Sequence, residues 1–386
     1  MLEEKRVKKI IQNISFCQLS TREIFTDIWD FINVDSLKHI IPYNQEQNVK
    51  QGLLNRNHWK SVIPDFYPIY EGMTLNTRTI SYYDPCFIPN IIKTEKNDFF
   101  RITEEFFKQF NDKHIGVQLS GGLDSSIIIG LLRFFNIPFS MVGMYTKRYE
   151  FRTEHYIQKV LTVGNQQTVL IDYENHLPFT NLHDIPAHQY PDLSSSNYMS
   201  DLGMAKKCNE LGVEILFSGF GGDVLFANEL SENITECKWK PQVFSDSWVA
   251  GIAYKPYNVE LVPFYASPEI MNSIFNLRRG MPEDIQKRWA RTFFKDILPD
   301  ELINFTYCAD FWGLYIDGLL KALPEIEKMH KLVHEITGLD YFSDEKFKEI
   351  MKLDLLNCKK ELYQPIEARI SIVTWINSLY RAGLLN

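Results

Sequence analysis

The order of apolar and polar positions along the chain predicts an α/β core between residues 98 and 226. Short apolar runs typical of buried strands alternate there with segments in which apolar residues recur at helical spacing. The predicted strands are His114–Leu119, Phe139–Met144, Gln167–Asp172 and Val213–Phe217. The predicted helices are Phe99–Phe110, Ser125–Phe135, Arg152–Val163 and Tyr198–Leu211. This alternation indicates βαβ units, so we expect a parallel sheet flanked by helices.

The segments on either side of this core have different patterns. Before it, Phe66–Asp84 alternates apolar and polar residues, which predicts a hairpin within a small β-rich N-terminal domain. Beyond about residue 235 the periodicity is helical, which predicts a largely helical C-terminal part. The predicted helices there are Phe264–Leu277, Pro282–Ile297, Trp312–Ile336 and Ser343–Leu385. We therefore expect two domains, residues 1–95 and residues 96–386.

Composition and charge narrow the function classes. The 386 residues are 45% apolar and 23% charged, with a net charge of -8, as in an ordinary globular protein. The sequence has no basic stripe of the kind that would indicate a nucleic-acid partner. No segment approaches the roughly 18 apolar residues of a membrane span. The six cysteines form no Cys-x-x-Cys pair and lack zinc-ligand spacing. We expect a cytoplasmic protein with free thiols and neither a membrane nor a nucleic-acid partner.

A glycine-rich loop directly follows the first predicted strand. Ser120–Ser126 reads Ser-Gly-Gly-Leu-Asp-Ser-Ser and leads into an apolar helix. Gly121 and Gly122 allow the backbone to approach a ligand without a Cβ in the way, and the hydroxyls and free helix N–H groups form an anion site. Asp124 would repel a polyphosphate unless a cation such as Mg²⁺ lay between them. A helix N-cap on a glycine turn is the structural alternative.

This loop resembles the Ser-Gly-Gly-x-Asp-Ser loop of the PP-loop ATP pyrophosphatases. The resemblance implies an adenine nucleotide α-hydrolase-like fold and a reaction in which ATP is bound and pyrophosphate is released. In that superfamily a carboxylate or carbonyl oxygen of the substrate is adenylated. Several branches share the loop, so it indicates the ATP chemistry better than it indicates the substrate.

A second glycine-rich segment narrows the branch. Phe217–Phe226 resembles the Ser-Gly-x-Gly-x-Asp-x-Leu-Phe segment of the asparagine synthetase branch, which includes asparagine synthetase B, the β-lactam synthetases and the lasso-peptide cyclases. Ligands of open α/β sheets lie at the carboxyl ends of strands, where both loops are placed. Tyr83–Pro85 and Ile297–Leu302 resemble further segments of the same branch. The resemblance covers roughly residues 66–386.

The resemblance implies a nucleotide site and a metal site. Asp124 and Asp223 would hold Mg²⁺, Gly219 would lie against the nucleoside, and the strand containing Val142 and Gly143 would contact adenine through its backbone. The implied nucleotide-binding residues are Leu119, Ser120, Gly121, Gly122, Asp124, Ser125, Ser126, Val142, Gly143, Ser218, Gly219 and Phe220.

The N-terminus departs from the asparagine synthetase pattern. Asparagine synthetases have a nucleophilic Cys after the initiator Met, whereas this chain reads Met1-Leu2-Glu3. The region before residue 95 is also short for a complete glutaminase. We therefore expect residues 1–95 to be a reduced, inactive glutaminase remnant. The chain would then work without glutamine, as the β-lactam synthetases and lasso-peptide cyclases do.

Two further departures concern the chemistry of the amine step. Phe220 stands where relatives have a Glu or Tyr linked to proton removal from the amine, and Phe cannot accept a proton. Tyr307 stands near the place of a Lys that faces the acyl phosphate. The positive charge that this Lys supplies would then come from Lys287, Arg288 or Arg291. For each of these residues the alternative is a charge on the surface of a helix. The candidate catalytic residues are Asp124, Asp223, Tyr307 and Lys287.

Two histidines offer a base for the amine step in place of the missing Glu or Tyr. They are His155 and His188. Each has a structural alternative, because lone histidines are more often structural.

These features predict an AMP-forming, ATP-dependent carboxylate–amine ligase. Its substrates would be a small-molecule or peptide carboxylate and an amine, in peptide or metabolite biosynthesis, with a precursor peptide or partner protein as a further participant. One alternative is a catalytically impaired, nucleotide-binding homologue that acts as a scaffold or regulator. The other is a PP-loop sulfur transferase acting on RNA, which the acidic balance disfavours and Cys308 keeps open.

Overall fold

The structure is a computed structural model of the chain. It describes residues 93–164, 166–188, 193–228, 230, 251–304, 311–338 and 360–385, together with Leu37 and three short strands nearer the N-terminus. The chain divides into two compact units: Met1–Gln12, Cys86–His176 and Ser200–Phe311 in the first, and Asn13–Pro85, Leu177–Met199 and Trp312–Asn386 in the second. The expected domain boundary at residue 95 stays a prediction, because most residues before it lie outside the described ones.

The strands and helices are numbered here in chain order. The strands are β1 (Ser15–Gln18), β2 (Ile24–Phe25), β3 (Phe66–Ile69), β4 (Ile115–Gln118), β5 (Ser140–Tyr145), β6 (Thr168–Asp172), β7 (Ile215–Ser218) and β8 (Glu260–Pro263). The helices are α1 (Lys96–Lys108), α2 (Leu123–Phe134), α3 (Arg152–Leu161), α4 (Tyr198–Glu210), α5 (Gly222–Ala227), α6 (Pro268–Arg278), α7 (Arg288–Phe293), α8 (Asp300–Asn304), α9 (Trp312–Thr337) and α10 (Lys360–Arg381).

The first unit contains a five-stranded sheet in the order β6-β5-β4-β7-β8. All neighbouring strands run parallel, which confirms the predicted α/β fold with a parallel sheet flanked by helices. The chain builds outward from β4 to β6 and then returns to the other side of β4 through β7. In such a sheet the point where the strand order reverses is the usual ligand crevice. The loops that follow β4 and β7 therefore lie side by side.

The fifth strand, β8, was not among the predicted strands. It has only four residues, ends at Pro263 and pairs in parallel with β7. A four-residue segment carries too little periodicity to be recognised by itself, and parallel pairing depends on residues far away in the chain. Its position beside β7 brings Tyr265, which follows the strand, close to the first glycine-rich loop.

Aromatic side chains form much of the core against one face of this sheet. Phe106 and Phe107 of α1 are fully buried, and the Phe107 ring lies 5.3 Å from that of Phe217 and 5.5 Å from that of Phe264. Burying a ring of this size stabilises a fold by about 1.5–3 kcal/mol. These contacts fix α1, β7 and the end of β8 against one another, which holds the carboxyl edge of the sheet in place.

The region after α6 differs from the prediction. The predicted helix Pro282–Ile297 is wrong at both ends, since helix α7 begins only at Arg288 and ends at Phe293. Gly280 and Lys287 both adopt left-handed backbone conformations, with φ values of 77° and 53°, and a left-handed residue cannot continue an α-helix. Asp284 instead accepts a hydrogen bond at 3.1 Å from the Trp289 N–H in the first turn of α7.

The second unit contains a three-stranded antiparallel sheet, β2-β1-β3, and the helices α9 and α10. The predicted hairpin Phe66–Asp84 is described only at its start, because residues 70–92 lie outside the described ones. The described partner of β3 is β1, where Ser15 pairs with Ile69. The long helices confirm the predicted helical C-terminal part. In the described part of the chain, no helix combines the length and apolar character needed to cross a membrane.

Candidate functional site

The first glycine-rich loop joins β4 to α2. Gly121 has a φ of 82°, and a Cβ there would collide with the backbone of Glu154, so the loop conformation requires glycine. The Ser120 and Ser125 hydroxyls lie 2.7 Å apart, and the Ser126 hydroxyl donates to the Gly122 carbonyl at 2.7 Å. These contacts hold the loop in a fixed shape at the N-terminus of a twelve-residue helix, where free N–H groups favour a bound anion.

The second glycine-rich loop joins β7 to α5 and approaches the first one closely. A Cβ on Gly222 would collide with the Asp124 carboxyl group, so only glycine allows this approach. The preceding Ser218 is fully buried, and its hydroxyl has no hydrogen-bond partner among the described residues. A buried hydroxyl without a partner costs free energy. A bound group at this edge of the sheet could supply that partner.

Asp124, Asp223 and Lys287 meet between the two loops. The Lys287 Nζ lies 2.6 and 2.8 Å from the two Asp124 carboxylate oxygens and 2.5 Å from Asp223 Oδ1. The Lys287 side chain is 13% exposed and that of Asp223 is 86% exposed, so the cluster is open on the Asp223 side. The surface-charge interpretation is therefore wrong for Lys287. Arg288 is exposed and hydrogen-bonded to Gln286, as expected of a surface residue.

The electrostatics of the cluster follow from burial and from its charges. Burial raises the pKa of Asp124, an effect that the Lys287 ammonium opposes and the Asp223 carboxylate reinforces. Burial would lower the pKa of Lys287, but the two carboxylates outweigh it and raise that pKa above its ordinary value. Lys287 is therefore held as an ammonium. The cluster sets two acidic side chains against one ammonium, which suits a further cation.

The residues present fit a magnesium ion. The donor set is two carboxylates, one on each loop, and the Lys287 ammonium already takes a cation position between them. Mg²⁺ is usually held by one or two carboxylates together with phosphate oxygens and water. Within the described ranges no group of three or more His, Cys, Asp or Glu side chains could hold a metal ion. Most ligands of an ion at Asp124 and Asp223 would thus come from substrate phosphates and water.

The strand next to the first loop contains the residues expected at adenine. Val142 is fully buried on β5, and its carbonyl accepts a hydrogen bond at 2.8 Å from the N–H of Leu119. Gly143 follows on the same strand and pairs with Leu170 of β6. A contact of these residues with adenine stays a prediction.

Phe220 and Tyr307 have different outcomes. Phe220 is partly exposed in the second loop, between the buried Ser218 and α5. Tyr307 lies outside the described residues, so its expected role stays a prediction.

Several side chains near the site were missed by the sequence interpretation. The Tyr265 hydroxyl donates to the backbone carbonyl of Asp124 at 2.8 Å, which ties the start of α2 to the end of β8. Gln158 on α3 donates to the carbonyls of Leu119 and Met144, both at 2.9 Å, and so joins the ends of β4 and β5. No local pattern marks these residues, because their partners are distant in the sequence.

A buried acid group lies under the carboxyl end of β4. Asp201 on α4 is 5% exposed, and burial raises its pKa from 3.8 to about 7, although a hydrogen bond from Tyr254 opposes this. The Tyr254 hydroxyl is 3.4 Å from Asp201 Oδ1 and also accepts from the Gln118 amide at 3.4 Å. Asp201 is therefore protonated over most of the acidic range.

The two candidate histidine bases are both engaged. His155 Nε2 lies 3.3 Å from the backbone N–H of Thr146, from which it accepts, and burial lowers the pKa of its ring. His188 belongs to the second unit, where burial lowers its pKa to about 4 and its Nδ1 lies 2.9 Å from the Pro186 carbonyl.

Comparison with known proteins supports the resemblance. Residues 108–255 match the family model described as asparagine synthase, and this range includes both glycine-rich loops. No curated protein matches the chain. Among solved structures, the chain is similar to an NMN synthetase from Francisella tularensis, with a TM-score of 0.31 and 11% identity over 74% of this chain and 95% of that one. At that similarity the neighbour says nothing about activity.

Proposed function

We propose, from the asparagine synthase-type domain that residues 108–255 form, that this protein is an AMP-forming, ATP-dependent carboxylate–amine ligase. A domain of this type supports an ATP-dependent adenylating synthetase. The observation that carries the proposal is the meeting of Asp124, Asp223 and Lys287 between two glycine-rich loops on adjacent strands. Such an arrangement suits a polyphosphate that needs both cations and backbone donors.

The chain's own residues would bind the nucleotide phosphates. The turn at Gly121 and Gly122 exposes backbone N–H groups at the start of α2, where the helix dipole favours negative charge. The Lys287 ammonium would turn from the carboxylates toward the phosphate oxygens. Asp124 and Asp223 would hold Mg²⁺, which when bound neutralises the charge that develops on pyrophosphate.

Two displacements make up the proposed reaction. A substrate carboxylate oxygen attacks the α-phosphorus of ATP, the bond to the β-phosphate breaks, and its electron pair leaves with pyrophosphate. An amine nitrogen then attacks the acyl carbon of the adenylate, and AMP leaves with the carboxylate oxygen that it gained. The amine loses one proton, which Phe220 cannot accept. The amine therefore arrives neutral, and the one proton that it loses as the amide forms passes to another group of the site or to water.

The substrates are proposed as a small-molecule or peptide carboxylate and an amine that is not released from glutamine. A precursor peptide or a partner protein would take part if the acyl donor is a peptide. The proposed setting is cytoplasmic biosynthesis without a nucleic-acid or membrane partner.

One alternative function has an observation in its favour. Phe220 replaces the expected base, as suits a homologue that binds nucleotide and acts as a scaffold. The sulfur transferase alternative rests on Cys308, which lies outside the described residues. Among the described residues the free cysteine is Cys208, which is buried, and burial raises its pKa to about 12. A thiol in that state is a poor nucleophile.

Pyrophosphate release separates the ligase from the scaffold. The full chain is incubated with ATP, Mg²⁺ and a panel of carboxylates and amines while pyrophosphate and AMP are measured. The ligase predicts AMP formation that depends on a carboxylate and is lost in Asp124→Ala. The matched control is Asp112→Ala, which changes an exposed acid in the same unit. Tight ATP binding without turnover on any substrate would favour the scaffold instead.

A further inference from the structure

A fully buried arginine lies near the two loops and has no place in the proposed reaction. Arg278, the last residue of α6, is 0% exposed. Its guanidinium donates to backbone carbonyls of Leu225, Asn228 and Pro282 and lies 5.8 Å from the Trp289 ring. Burying a guanidinium is costly unless hydrogen bonds compensate for lost water. The position of Arg278 is therefore tightly specified by its carbonyl partners.

Two of these three carbonyls lie at the end of α5, the helix that carries Asp223. Helix α5 has only six residues, with Asp223 in its first turn and Leu225 near its end. The guanidinium donates to the Leu225 carbonyl and, at 3.3 Å, to the Asn228 carbonyl just beyond the helix. A cation at the carbonyl end of a helix satisfies acceptors that have no partner within the helix. Arg278 thus fixes α5 from the end opposite the glycine-rich loop.

The third carbonyl belongs to the segment that carries Lys287, here called the 279–287 segment. Its Pro282 carbonyl accepts from Arg278 at 3.3 Å, and its Asp284 N–H donates to Ala227 at the end of α5 at 2.7 Å. The Lys287 N–H in turn donates to the Asp284 carbonyl at 2.8 Å. The left-handed backbone of Lys287 is strained and persists only when its surroundings hold it.

We infer that Arg278 is a positioning residue that holds Lys287 in register with the two carboxylates by binding the end of α5 and the 279–287 segment at once. This inference rests on the proposed function, in which that register forms the nucleotide site. Arg278 touches no substrate. Its effect on nucleotide binding is therefore transmitted through Lys287, and an exposed neighbour of the same type, Arg279, has no such effect.

The test is a mutant cycle on ATP affinity. Isothermal titration of the full chain with ATP and Mg²⁺ compares wild type, Arg278→Met, Lys287→Met and the double variant, with Arg279→Met as the matched control. Supporting residues of this kind change ligand affinity by about 10- to 100-fold, and we expect Arg278→Met to fall in that range. In the Lys287→Met background the same change should alter affinity by no more than about twofold. Arg278→Lys should restore only part of the loss, because an ammonium lacks the guanidinium fork.

The outcomes distinguish this inference from the proposed function. If Arg278→Met weakens ATP binding equally with and without Lys287, or leaves it unchanged, the positioning role is wrong while the nucleotide site stands. If wild type binds no ATP, the proposed function fails and takes this inference with it. Should Arg278→Met not fold, Asp284→Ala loosens the same segment at a partly exposed residue and must show the same dependence on Lys287.

Discussion

The buried acid Asp201 gives a prediction that needs no ligand. Its pKa is about 7 in the fold against 3.8 for a free side chain. Between these values the folded chain keeps a proton that the unfolded chain releases, so the free energy of unfolding falls as the pH rises. A difference of about three pKa units corresponds to about 4 kcal/mol, since each unit is worth about 1.4 kcal/mol. The contribution is fully present at low pH and is lost by about pH 8.

Asp201→Asn removes this loss, because an amide stays neutral at every pH. We expect the variant and wild type to be similar in stability at about pH 4, and the variant to be more stable by up to about 4 kcal/mol at about pH 8. Urea unfolding at a series of pH values measures the difference, and the exposed Asp112→Asn serves as the control. A stability difference that does not change with pH would refute the reasoning.

Two further variants test the geometry of the site. Lys287→Met leaves Asp124 and Asp223 facing each other without a cation and should lower the free energy of unfolding by about 2 kcal/mol. Breaking a fully buried ion pair would cost more, but Asp223 is exposed. Unchanged urea unfolding would contradict this. Gly222→Ala puts a Cβ against the Asp124 carboxyl group and should weaken ATP binding by about tenfold or more in titration calorimetry. Gly251→Ala, which meets nothing within 4 Å, should leave it unchanged, and equal effects would refute the predicted collision.

The parts of the fold that the sequence predicts are those encoded locally. The first loop is recognisable because Gly121 and Gly122 stand between an apolar strand and an apolar helix, so turn, strand and helix signals fall within one short stretch. The second loop has the same character at Gly221 and Gly222. Parallel pairing of the strands follows from their alternation with helices. The parallel sheet has five strands instead of the four predicted, because β8 is too short to show a pattern and adds to the edge beside β7.

The charge cluster depends on contacts that no local pattern reports. Lys287 looks like one of several charges on a helix in the sequence, and its place becomes clear only through the left-handed turn before α7. That turn is held by Arg278 and by the end of α5. The Asn228 carbonyl that Arg278 contacts there is 50 positions away from it along the chain. Tyr265 reaches Asp124 across 141 positions in the same way. Tertiary packing therefore decides which charges meet.

In the proposed reaction a carboxylate oxygen of the substrate attacks the α-phosphorus of ATP. A carboxylate substrate labelled with ¹⁸O traces this oxygen, with mass spectrometry of the AMP formed by the full chain in the presence of Mg²⁺. We expect one ¹⁸O atom in the AMP phosphate and none in pyrophosphate, and no labelled AMP from Asp124→Ala. AMP that contains no ¹⁸O, or label found in inorganic phosphate beside ADP, would contradict it.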